Sequence, residues 1–195
     1  MALPDDRQAG FLTVLSTVVD ALASSSPPYC IIGALALGVW GQPRATQDVD
    51  LLVLAESTSP DSFVGPLTRK GFYPDEQWLA QNPMAKDRVL RLMLGSCPDF
   101  PVDLIFPTDG LDQSALTRRQ PKQIHGMELW VCSPEDLILL KLKVGRPHDF
   151  DDVMSVVKNP RLRLDREYLR HWAERLGLQG ELHYVLQTAG SEQGK

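Results

Sequence analysis

The sequence predicts an α/β fold with a small helical portion at its C-terminal end. Three observations carry this prediction. Short runs rich in β-forming residues, at 29–32, 48–54, 88–94 and 101–106, alternate with segments of helical apolar spacing. Gly, Pro and Ser clusters stand at most of the changeovers. The length of 195 residues, with 43% hydrophobic and 23% charged, suits one globular domain with a helical appendage and excludes a disordered tail protein.

Taken in order, Phe11, Leu12, Val14, Leu15, Val18, Val19 and Leu22 recur at helical spacing, which predicts an amphipathic helix over 7–23. Ser24 to Pro28 ends it. Tyr29 to Ile32 reads as a short buried strand ending at Gly33, and Ala34 to Leu37 opens a short helix closed near Gly41. A polar loop, 42–47, leads into a central strand at 48–54, with turn residues at 57–60. A helix is expected at 61–70, an extended piece at 72–74, and strands at 88–94 and 101–106, the last bounded by Pro98 and Pro107. A helix at 111–119 follows, then one or two short strands in 122–132 around Gly126. Ser133-Pro134-Glu135-Asp136 is a helix start, with serine as N-cap, proline at the first helical position and an acid three residues after the cap. That helix stops at Gly145, and Pro147 opens another, with Phe150, Val153, Met154 and Val157 on its apolar face. Leu169, Trp172, Ala173 and Leu176 form a last helical stripe, and 189–195 reads as a polar tail.

Lys and Arg number 20 against 25 Asp and Glu, a formal net charge of −5, so nothing draws the whole chain toward polyanions. Cys30, Cys97 and Cys132 lie far apart and form neither a zinc knuckle nor a disulfide framework, and they read as buried thiols in a reducing compartment. No apolar run is long enough to span a bilayer, and the N-terminal segment lacks the positive region of a signal peptide. A cytoplasmic location without membrane attachment is the expectation.

The informative anomaly is a set of acids inside segments that should be buried. Asp50 begins the run Leu51 to Leu54, and Asp103 sits between Val102 and Leu104. An ionised carboxylate persists in such a place only when paired, hydrogen-bonded or bound to a cation. Strand side chains alternate, so Asp48 and Asp50 share one face. Oxygens converging there suit magnesium, and Asp103 from a neighbouring strand would complete the site. The plain alternative pairs Asp50 with Arg44, and Asp103 with Arg91 or Lys141. Taken singly, a lysine among apolar neighbours such as Lys141 snorkels to solvent, and acids in a first turn such as Asp149 and Asp152 complement a helix dipole.

Upstream lie the Gly33-Ala34 turn, Gly41, Arg44 and Thr46, so the stretch reads G-A-L-A-L-G-V-W-G-Q-P-R-A-T-Q-D-V-D-L-L-V. This resembles the signature of the polymerase-beta-like nucleotidyltransferase superfamily, in which a glycine turn precedes an arginine and then D-x-D. Pro101-Val-Asp103-Leu-Ile looks like the third-acid strand of that family. Ser133 through Lys141, Arg146, Asp149 and Asp152 looks like the helical pair of its small members related to abortive-infection toxins. The resemblance covers 29–157. It implies a nucleotidyltransferase fold, a mixed β-sheet flanked by helices, with a core at 1–157 and a helical extension at 158–195.

By the same resemblance Asp48, Asp50 and Asp103 would be catalytic metal ligands for magnesium, two ions in number, with manganese as a substitute. Asp103 would also accept a proton from the acceptor. Gly33, Ala34, Arg44, Lys141 and Asp149 would bind the nucleotide. The implied reaction moves a nucleoside monophosphate from a nucleoside triphosphate such as ATP to a hydroxyl of RNA (tRNA among them), protein or a small molecule. A toxin role with an antitoxin partner is a further implication. Ala34 departs from the pattern, which has Gly or Ser there: a hydroxyl contact to phosphate is missing, while the backbone N–H remains. The rival expectation is a non-catalytic protein of this fold that binds a nucleotide or a protein partner. Convergence of the three carboxylates on an open pocket separates the two.

Overall fold

A computed structural model describes residues 5–25, 28–54 and 61–192. Seven strands join in one sheet: β1 (Tyr29–Ile31), β2 (Val49–Val53), β3 (Phe72–Pro74), β4 (Val89–Leu94), β5 (Cys97–Ile105), β6 (Gln120–Ile124) and β7 (Met127–Val131). Their spatial order is β3-β4-β5-β2-β1-β7-β6. The β2/β5 and β1/β7 pairs are parallel and the others antiparallel, so the sheet is mixed. At its centre, every residue of β1 is buried, and β2 is buried throughout except at Asp50, which is partly buried. Unbroken apolar runs suit strands covered on both faces.

The helices are α1 (Asp5–Ser25), α2 (Gly33–Trp40), α3 (Asp61–Arg69), α4 (Glu76–Gln81), α5 (Gly110–Thr117), α6 (Pro134–Val144), α7 (Pro147–Val157), α8 (Arg166–Leu176) and α9 (Gln179–Glu192). In α1, Phe11, Val14, Leu15, Val18 and Leu22 form the buried stripe that the spacing predicts. In α6, Ser133 caps the first turn by accepting from the Asp136 N–H at 3.1 Å, and Gly145 ends the helix at φ +69°. Among the described residues no helix is long and apolar enough to cross a membrane.

Three differences from the sequence expectation have physical reasons. Strand β5 begins at Cys97 rather than Pro101, because Leu94 and Cys97 pair around the Gly95-Ser96 turn. The register shifts between Leu92 and Leu94, the kind of irregularity that tolerates Pro98. Helix α4 and a 3₁₀ turn at Pro83–Ala85 fill a stretch with no apolar periodicity to announce them. The expected polar tail is helical to residue 192, because Ala189 completes a buried stripe with Leu182 and Val185. The expected turn at 57–60 lies outside the described residues.

Candidate active site

The site begins where β1 runs into α2. Gly33 has φ +63°, and a Cβ there would stand 2.0 Å from an oxygen of Asp50. Both facts require glycine, so this turn and the Asp50 carboxylate are built against each other. Ile32 offers no side-chain cap to α2, so the first-turn N–H groups of Gly33, Ala34 and Leu35 have no partner within the helix.

Three strands then lay a row of charge across one face of the sheet. Asp50 of β2 is the register partner of Asp103 on β5, and Asp103 is the partner of Arg91 on β4. Asp48, one residue before β2, accepts from the Thr46 hydroxyl at 2.5 Å. One carboxylate oxygen from each of Asp48, Asp50 and Asp103 lies within 4.8 Å of the other two. Burial pushes the Asp50 carboxyl up to about 7, and the negative charges of Asp48 and Asp103 push the same way. Among the described residues, neither Asp48 nor Asp50 has a Lys, Arg or His nitrogen within 4 Å. An all-oxygen donor set of this kind, with two of its three carboxylates lacking a basic partner within 4 Å, fits a hard divalent cation.

Asp103 differs from its two neighbours. The Arg91 guanidinium donates to both of its oxygens, at 2.7 and 2.6 Å. Arg91 in turn lies 4.4 Å over the Trp78 ring of α4.

The opposite wall is helical. Leu137, Leu140, Lys141 and Val144 make one stripe of α6 along the cleft, continued by Arg146, His148 and Asp149 at the start of α7. Lys141 is buried rather than snorkelling: its Nζ donates to Asp149 at 3.1 Å and to Asp152 at 2.6 Å. Asp149 also accepts from the Arg146 N–H at 3.1 Å, which fixes the start of α7. Arg44 pairs with Asp152 at 3.1 Å and not with Asp50. The cause lies in the loop before it. Gly41 packs so closely on α7 that a Cβ would meet Ser155 Oγ at 2.4 Å, and the Gln42 N–H donates to that same oxygen at 3.0 Å. The loop is thus laid on α7, which delivers Arg44 to Asp152.

The cleft between these walls measures about 640 Å³, the size of a small-molecule site. All eight residues singled out from the sequence (Gly33, Ala34, Arg44, Asp48, Asp50, Asp103, Lys141 and Asp149) line it. So do Trp78, Asn82, Arg91, Arg146 and His148. Trp78 and Asn82 were beyond sequence reasoning, because α4 gives no periodicity. Arg91 was visible only as a candidate partner of Asp103, and that pairing is the one observed.

Residues 106–181 match the model of a family described as "Nucleotidyl transferase of unknown function (DUF2204)". No curated protein matches the sequence. Among solved structures, the chain is similar to ANT(2″)-Ia crystallised with adenylyl-2″-tobramycin, at 16% identity and a TM-score of 0.50, covering 93% of this chain and 97% of that one. It is also similar to JHP933 from Helicobacter pylori, at 12% identity and a TM-score of 0.51, covering 99% and 97%. At such identities the likeness is one of fold. Over nearly its whole length the chain thus shares the fold of these structures, and its segment 106–181 matches that nucleotidyl transferase family model.

Proposed function

We propose that the protein transfers a nucleoside monophosphate from a nucleoside triphosphate to an acceptor hydroxyl, with release of pyrophosphate and dependence on magnesium. The observation that carries this reading is the convergence of Asp48, Asp50 and Asp103 within 4.8 Å at one wall of an open cleft. Bound magnesium would be held by these carboxylates and would neutralise charge on the phosphates in transit.

The rest falls to the chain's own groups. The first-turn N–H groups of α2, which have no partner within the helix, receive phosphate oxygens, and the helix dipole favours the negative charge there. Ala34 serves through its backbone. Arg44 and Arg146 contribute positive charge at the phosphate end. Lys141, fixed between Asp149 and Asp152, holds the α6–α7 corner rigid around the nucleotide. The acceptor oxygen attacks the α-phosphorus, the bond to the β-phosphate breaks, and the hydroxyl proton passes to Asp103. That carboxylate has about four lone-pair sites, of which the two Arg91 bonds use half.

The test is incubation with α-labelled nucleoside triphosphates, magnesium and separate acceptor arms of total RNA, protein and tobramycin, the last because ANT(2″)-Ia holds its adenylyl product. Label on one acceptor, lost in Asp48→Asn/Asp50→Asn, is the expected result. Absence of both transfer and magnesium-dependent nucleotide binding overturns the reading. The Arg91–Asp103 pair favours a second reading, a non-catalytic nucleotide-binding protein of this fold. Nucleotide binding without transfer in every arm identifies it.

A further inference from the structure

Arg91 is placed as no other cation of the cleft is. It occupies the register position beside Asp103 and engages both carboxylate oxygens, at 2.7 and 2.6 Å. The Trp78 ring lies against it at 4.4 Å. Arginine matches a carboxylate in this two-pronged way, and a guanidinium sandwiched between acid and aromatic ring loses little further freedom by staying there. Arg44 and Lys141, by contrast, are spent on Asp149 and Asp152 and reach none of the three convergent acids within 4 Å.

We propose that Arg91 is a built-in counterion that reserves Asp103, so that the free protein takes a single divalent cation, on Asp48 and Asp50. Three carboxylates facing one guanidinium leave two negative charges, which one divalent ion neutralises. A second ion would have to compete with a charge that the fold has already installed and that needs no binding entropy. The full set of three acids becomes available to cations only when Arg91 is drawn off Asp103, and triphosphate oxygens are the anions able to do that in this cleft. Arg91 is therefore a positioning residue that sets the ion count. The inference rests on the reading of the three acids as cation ligands.

The test is Mn²⁺ binding to the nucleotide-free protein, measured by calorimetry and by the loss of the free-ion electron paramagnetic resonance signal. Wild type is expected to bind one ion per chain. Arg91→Gln keeps a hydrogen-bonding side chain but no charge, and is expected to bind a second ion or to bind at least tenfold more tightly. Arg91→Lys restores the charge and the single ion. Trp78→Leu loosens the stack and shifts binding in the direction of Arg91→Gln by a smaller factor. Should Arg91→Gln not fold, by circular dichroism, Trp78→Leu carries the test. Two ions on wild type, or unchanged number and affinity in the folded Arg91→Gln and Trp78→Leu proteins, overturn the inference while leaving the three-acid site intact. Unchanged Mn²⁺ binding in Asp48→Asn/Asp50→Asn overturns the site assignment itself.

Discussion

Two of the groups of acids set into this fold are treated oppositely by the chain. Around α5 and α6, Asp109, Asp112, Glu135 and Asp136 are each met by cations or donors. Lys143 reaches Asp109 at 2.5 Å and Asp112 at 3.3 Å, and Arg118 reaches Glu135 at 3.2 Å. Asp136 accepts from the Ser133 hydroxyl at 2.6 Å and from the Tyr168 hydroxyl. Arg118 also lies 3.9 Å over the Tyr168 ring, which ties α8 to the core. In the cleft, Asp48, Asp50 and Asp103 stand side by side, and among the described residues Arg91 is the one basic side chain within 4 Å of any of them. A chain that supplies the first group with cations and donors leaves the second short of positive charge where a ligand can enter. That contrast separates acids that hold the fold from acids that await a cation.

The contrast can be broken by substituting one side at a time. The largest effect is expected on chemistry: Asp48→Asn/Asp50→Asn lowers nucleotidyl transfer by about 10³-fold, the scale of losing a main electrostatic element of a site, read as initial rate with labelled nucleotide. Next comes Asp136→Ala, which strands Ser133, Tyr168 and Arg118 and costs about 3–5 kcal/mol in denaturant unfolding.

The opposite sign is expected in the cleft. Asp50→Asn raises the melting temperature of the metal-free protein, because the rise of Asp50 to about 7 corresponds to at most about 4 kcal/mol of destabilisation in its charged form. The smallest effect is in pH dependence. A raised folded-state value means that Asp50 costs stability above the ordinary carboxylate range. The metal-free protein therefore gains stability through Asp50 as pH falls from about 8 toward 5. For Asp109, burial pushes the carboxyl up, but the hydrogen bonds from Lys143 and the Asp112 and Leu111 N–H groups bring it below its usual value. Its contribution has the opposite sign, present above the ordinary carboxylate range and lost as pH falls through it. Chelator-treated wild type and Asp50→Asn, melted from about pH 8 down through the ordinary carboxylate range, separate the two trends.

Much of the cleft was legible because its logic is local. Alternation along β2 puts Asp48 and Asp50 on one face, and a glycine after a buried strand marks the turn that Asp50 abuts. The α/β alternation and the capped start of α6 follow from short-range chemistry as well. What escaped was set by distant packing. The Arg44–Asp50 pair of the plain alternative does not form, because Gly41 and Gln42 dock on Ser155 and carry the arginine away to α7. Trp78 could not be assigned to the cleft from a six-residue helix with no buried face. Whether Asp103 pairs with Arg91 or with Lys141 was open in the sequence, and the β4/β5 register decides it for Arg91.

The most direct test of the contrast is the melting temperature of wild type and of Asp48→Asn/Asp50→Asn, each with and without magnesium. Without the ion the double variant should melt higher than wild type, and magnesium should raise wild type alone. A metal-free double variant less stable than wild type, or one that gains as much from magnesium, would contradict the view that these acids are held in reserve for a cation.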